Sequence, residues 1–155
     1  MKSIADVVRT DRYLNKLNRG ISAADMEKEL SGAGPFTIFA PSDTAFEKLD
    51  PEIFPDLLRP ENKIQLTDLI NYHVVHGITH FKDLEDGQKL KAINGKELNV
   101  AVKDKTVSIN GANIEVKDMH GRNGVVHSLD AVIMPQKTSS TRSNKKSRDG
   151  ITPVI

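Results

Sequence analysis

Residues 34–49, Gly34-Pro35-Phe36-Thr37-Ile38-Phe39-Ala40-Pro41-Ser42-Asp43-Thr44-Ala45-Phe46-Glu47-Lys48-Leu49, read as a strand turning directly into a helix, and no other stretch restricts the fold as much. Phe36 to Ala40 is a short apolar run, rich in aromatic and β-branched side chains. Gly34-Pro35 opens it and Pro41 closes it, the punctuation expected of a buried strand. Ser42 can accept hydrogen bonds from the open N–H groups of a new helical turn, and Asp43 adds negative charge at its positive end. Phe46 and Leu49, three apart, face the side from which the strand arrived.

The flanking residues supply helices first. Ser3 reads as an N-cap for a helix with Ile4, Val7 and Val8 on its apolar face and Asp6 in its first turn. Tyr13, Leu14 and Leu17 continue the helical spacing, and Gly20 is expected to end that segment. Ser22 then starts a short helix through Met26 and Leu30. After residue 49, Asp50-Pro51 and Phe54-Pro55 break the chain into turns, and Pro60-Glu61 introduces a helix that buries Leu66, Leu69 and Ile70. Tyr72-His73-Val74-Val75-His76-Gly77 returns to strand.

From Lys89 the period becomes two. Leu98, Val100 and Val102 alternate with polar residues, as do Val107 and Ile109, then Ile114 and Val116. Asn94-Gly95 and Asn110-Gly111 suit tight hairpin turns and Asp104-Lys105 a looser one, so an antiparallel meander is expected. Residues 120–124 form the last turn before Val125 to Pro135, a run apolar on both sides and therefore expected to be a strand buried on both faces.

Three of these stretches carry a resemblance. Thr37, Phe39, Ala40, Pro41, Ser42, Asp43, Ala45 and Phe46 match the first signature box of the fasciclin domain. Tyr72-His73-Val74-Val75 with Gly77 is similar to the Tyr-His motif between that family's two boxes. Gly124, Val125, Val126, His127, Leu129, Asp130, Val132, Ile133 and Pro135 match the second. The chain from about Ile4 to Pro135 thus resembles a fasciclin domain. The resemblance implies an α+β fold: a twisted antiparallel β-sandwich or wedge with several helices packed on one side. Residues 1–135 would form that domain. Residues 136–155, dominated by Ser, Thr, Lys, Arg and Asn, read as a basic, disordered tail.

At 155 residues the chain is expected to be one domain with an adequate core, and the absence of cysteine does not fix a compartment. Formal net charge is +1, but the tail beyond Pro135 holds +4 and the remainder −3. The domain therefore lacks the basic footprint of a nucleic-acid binder, whereas Lys145, Lys146 and Arg148 could contact polyanions. Residues 1–6 carry no apolar leader core, and no run is long enough to span a membrane. An intracellular protein and one whose leader has been replaced by Met1 both remain open.

The chemistry-bearing residues favour the fold over catalysis. His73, His76 and His80 are spaced for a helix, but the β-branched residues between them indicate strand and turn, which would spread the rings; no metal site or other cofactor is expected. His127, Ser128 and Asp130 hold the residue types of a hydrolytic triad, yet His127 and Ser128 point to opposite faces of a strand, and no nucleophile elbow occurs. Ser128 and Asp130 are expected to satisfy backbone groups near the strand's end. Thr37, Phe39, Pro41, Asp43, Phe46, His127 and Asp130 are read as residues of the structural motif.

The family resemblance implies a non-catalytic, monomeric adhesion module, secreted, periplasmic or at the cell surface of a bacterium or archaeon. Its partner would be a surface or matrix protein or polysaccharide, and Tyr72, His73, Val74 and Val75 would be the binding residues. The alternative is an intracellular or periplasmic domain that holds a small ligand or protein on the same fold.

Overall fold

The computed structural model describes residues 2–134. The tail, with Lys145, Lys146 and Arg148, lies outside the described residues. Six α-helices and eight strands occur in the order α1 (Ile4–Thr10), α2 (Asn15–Ala23), α3 (Glu27–Leu30), β1 (Phe36–Pro41), α4 (Asp43–Glu47), α5 (Ile53–Leu57), α6 (Lys63–Asn71), β2 (Val74–His76), β3 (Lys89–Lys91), β4 (Glu97–Lys103), β5 (Thr106–Ile109), β6 (Ala112–Asn113), β7 (Met119–Gly121) and β8 (Gly124–Leu129). The strands form two four-stranded sheets, β2-β1-β8-β7 and β3-β4-β5-β6.

The second sheet is the antiparallel meander that the alternating pattern predicts. At Asn110-Gly111 both residues have positive φ, +50° and +88°, the tight turn a two-residue hairpin needs. The first sheet departs from a purely antiparallel architecture. β1 pairs with β2 antiparallel but with β8 in parallel, from Phe36 opposite Gly124 to Pro41 opposite Leu129. Parallel neighbours need a long crossover. Here the connection carries three helices and the whole second sheet.

Alternation along β1 and β8 divides the core in two. Ile38, Ala40 and Val126 face the helices, where they meet Ile4, Val8, Leu17, Ile21 and Leu66. Phe39 and Leu129 face the second sheet and meet Leu98, Val100, Val107 and Ile109. Helices, mixed sheet and antiparallel sheet thus make three layers, with every residue of β8 buried. Two large apolar faces leave water only because the central strands are apolar on both sides.

Several local expectations change. Gly20 stands inside α2 instead of ending it, buried toward α6, where a Cβ would make ordinary contacts of 3.6 Å with Leu66 Cδ1 and 3.7 Å with Ile70 Cδ1. The helix stops later, at Ala24, followed by Asp25 with φ +57°. Asp takes there the left-handed position that glycine usually fills. Ser22 is therefore helical and α3 begins at Glu27. Tyr13 is exposed and outside the helices. Pro55 sits in the first turn of α5, where no N–H is needed, instead of marking a break. β8 ends at Leu129, and residues 130–134 continue without strand pairing.

Ser3 caps α1 through a reciprocal capping box with Asp6, and Ser42 caps α4 by accepting from the Ala45 amide. Asp43 does more than charge its own helix. Its Oδ1 accepts from the Lys16 amide at 2.7 Å and its Oδ2 from the Asn15 side chain at 3.3 Å. It therefore caps α2, whose own N-cap position holds Leu14.

Where β1 and β8 start, the backbones lie too close to admit a side chain: a Cβ on Gly124 would overlap the Phe36 carbonyl. Gly124→Ala is expected to lower stability by more than about 3 kcal/mol, since backbone cannot yield as a side chain can. Urea unfolding within about 1 kcal/mol of the parent would contradict this pairing.

Candidate functional site

Tyr72 closes α6 and Val74 opens β2, so the segment Tyr72 to Val75 lies at the junction of helix and sheet. All four residues are buried: Tyr72 is 6% exposed, His73 2%, Val74 0% and Val75 6%. Val74 belongs to the helix-side core, while Tyr72 and Val75 belong to the core between the sheets. Only Tyr72 borders an open surface. Its hydroxyl accepts from Asn110 Nδ2 at 3.0 Å, and the Lys96 ammonium lies 5.9 Å from its ring centroid.

That surface is a groove of about 700 Å³ between the meander and residues 132–134. Tyr72, Lys96, Glu97, Asn99 and Asn110 line it together with Val132, Ile133 and Met134 of the segment after β8. Lys96, Glu97 and Asn99 are exposed. No motif or periodicity marks these three, and Asn110 reads in the sequence only as a turn residue. The groove joins parts of the chain far apart in sequence, and its one early signal was Tyr72.

His73 holds the other side of the junction. Its Nδ1–H donates to the Leu69 carbonyl at 2.8 Å, and its Nε2 accepts from the Ile133 amide at 2.9 Å. Burial pushes its pKa down from 6.5 to about 4, against the weaker upward pull of the Leu69 carbonyl. The neutral ring thereby fastens the segment after β8, which forms one wall of the groove, to the end of α6.

The signature residues serve the same purpose. The Thr37 hydroxyl donates to the Gly77 carbonyl at 2.7 Å and accepts from the Thr79 amide at 2.9 Å. On the adjacent strand, His127 Nε2 donates to the Thr79 carbonyl at 2.8 Å and its Nδ1 accepts from the Asp118 amide at 3.1 Å. Burial also lowers the His127 pKa. Phe39 stacks on this ring at 5.7 Å, and Phe46 packs on Phe54 at 4.7 Å. Pro41 ends β1 opposite Leu129. Asn123, expected only in a turn, is a further fastener. Its buried amide accepts from the Ile4 N–H and donates to the carbonyls of Leu30 and Gly32.

His127, Ser128 and Asp130 have separate partners. Ser128 Oγ accepts from the Val116 amide at 2.9 Å, and Asp130 accepts from the Asn113 amide at 2.8 Å and from its side chain at 3.2 Å. Asp130 is only half-buried. The three do not hydrogen-bond to one another and no nucleophile–base pair results. His73, His76 and His80 diverge, and among the described residues no group of three or more His, Asp or Glu is placed to hold a metal ion.

The family model for the Fasciclin domain matches residues 12–135, and the chain belongs to that family. Protein sll1483 of Synechocystis sp. is 36% identical over 133 residues, covering 86% of this chain and 73% of that protein. The transforming growth factor-beta-induced protein ig-h3 of Oryctolagus cuniculus is 30% identical over 133 residues, 86% of this chain but 19% of that one. Among solved structures, a FAS1 domain pair from the insect cell adhesion molecule Fasciclin I superposes with a TM-score of 0.78 at 16% identity, over 86% of this chain and 51% of that one.

A histidine held neutral by the fold makes stability depend on acid. With the folded pKa of His73 near 4 and the unfolded value near 6.5, its contribution is complete above about pH 6.5 and is lost progressively as pH falls toward 4. His127 acts in the same direction. The melting temperature is expected to fall over this window. His73→Ala should cost about 2–3 kcal/mol at neutral pH, by leaving the Ile133 N–H without a partner and opening a buried gap, and flatten the decline; Leu69 O keeps the Tyr72 amide at 3.2 Å. A variant with the parent's full pH profile would contradict the assignment.

Proposed function

We propose that this chain is a non-catalytic adhesion module acting at a cell surface or outside the cell, and that it holds a protein or polysaccharide partner in the groove beside Tyr72. The observation that carries this reading is the division of labour among the polar residues. Thr37, His73, Asn123, His127 and Ser128 are buried and bonded within the fold, whereas Lys96, Glu97 and Asn99 stand exposed around one concavity. Side chains committed to backbone groups cannot also turn over a substrate, but a rigid groove with open polar groups can bind. Family membership and the adhesive name of the Fasciclin I neighbour support the same direction.

In this reading Tyr72 is part of the groove's lining, and His73, Val74 and Val75 hold it in place from behind. A second reading, a domain for a small ligand or an intracellular protein, draws on the groove's volume, which falls within the roughly 300–1,000 Å³ of small-molecule sites. Its polar, open lining favours an extended partner over an enclosed one.

Labelled full-length protein incubated with intact cells of the producing organism tests the reading. The parent protein should be retained, and Lys96→Glu with Asn99→Ala should weaken retention about tenfold, equivalent to about 1.4 kcal/mol. Ile64→Ser, at a residue 83% exposed on α6, serves as the control and should bind as the parent does. Failure of the parent to bind would overturn adhesion; full retention by the double variant would overturn the groove.

A further inference from the structure

Away from the groove, ionisable groups of opposite sign gather where residues 77–83 meet residues 115–121. His80 and His120 stack with ring centroids 5.4 Å apart and planes inclined by 27°. Both reach solvent, His80 with 36% of its side chain exposed. The Asp118 carboxylate lies 3.7 Å from His80 Nδ1 and accepts from the Phe81 amide at 3.0 Å. The Lys117 ammonium sits over the Phe81 ring, 4.1 Å from its centroid. Beneath them His127 has both ring nitrogens engaged by Thr79 and Asp118 backbone, so it stays out of the exchange of charge.

We infer that the stacked His80–His120 pair, with Lys117 beside it, is a proton-gated anion site that takes the sulfate or carboxylate groups of an acidic polysaccharide. The charges decide the sign. With neutral imidazoles, residues 77–83 and 115–121 carry Lys82 and Lys117 against Asp83, Glu115 and Asp118, net −1. Protonation of both rings makes the surface net +1. Asp118 compensates one imidazolium; the second, stacked against the first, gains from an external anion. Charges on the neighbouring elements do not substitute for that anion: Asp6 and Arg9 of α1 pair with each other at 2.7 Å, and His76 of β2 lies against Phe36 at 5.9 Å.

Polymer is favoured over membrane by charge on the larger scale. The body through residue 135 carries net −3, which repels an extended anionic surface but leaves a flexible chain free to contact one local patch. Ile78 and Val116, each 49% exposed on the same two segments, offer apolar ledges beside the charged groups for the C–H faces of a sugar chain.

The test uses full-length protein and heparin, whose sulfates remain ionised throughout the range, in low salt. Affinity should rise about fivefold between about pH 7.5 and about pH 5.5. The tail's lysines and arginines keep their charge over that interval and supply only a constant background. His80→Gln with His120→Gln should bind like the parent at the higher pH and lose the rise, while His76→Gln should keep it. Circular dichroism at both pH values establishes that each protein is folded. Affinity that is unchanged by pH in the parent, or that rises equally in the double variant, would overturn the inference. Acid-dependent capture by phosphatidylserine vesicles without heparin binding would assign the patch to a lipid surface and overturn it equally.

Discussion

The parallel pairing of β1 with β8 is the contact on which the other elements depend. It brings two strands from distant parts of the chain together at the centre of the molecule and exposes an apolar face on each side. The helices cover one face and the meander the other, so neither layer has a core without this pair. Loop closure between such distant segments costs entropy before any contact is gained, which places most of the required compensation on burial of the two faces. The absence of a side chain at Gly124 permits the close approach at one end of the ladder.

Two faces are not enough to fix the segments that cross over them, and polar side chains complete that task. Thr37 and His127 project on the same side of neighbouring strands and hold Gly77 and Thr79 between them. His73 ties the end of α6 to Ile133, Asn123 ties α1 to the turn after α3, and Asp43 caps a helix that precedes it in sequence. Each is a small, directional link between pieces that no secondary-structure ladder joins. Because a buried polar group without a partner costs more than a satisfied one gains, these links specify a single arrangement as well as supporting it. Chemistry at the signature positions is thereby directed inward, and surface residues around the rigid frame are left to meet partners.

Much of this was legible where local pattern and tertiary demand agree. The strand-to-helix turn at Pro41-Ser42, the capped helix at Ser3 and the meander after Lys89 all follow from spacing, punctuation and alternation. The parallel direction of β8 was not, because apolar runs report burial and not the direction of a neighbour. Asp25 ends a helix in a conformation usually signalled by glycine, while Gly20 lies inside that helix. Tyr72, His73, Val74 and Val75 were legible as a motif, but their burial depends on contacts to residues 107–133 that spacing cannot reveal. The groove and the His80–His120 stack were hidden for the same reason.

The central claim is that the motif histidines are neutral fasteners with fixed and opposite hydrogen-bond polarity. Long-range proton–nitrogen NMR correlation of the imidazole rings at neutral pH measures this directly. His73 should appear as the Nδ1–H tautomer, donating to Leu69, and His127 as the Nε2–H tautomer, donating to Thr79. A charged ring at either position, or tautomers in exchange, would contradict the account.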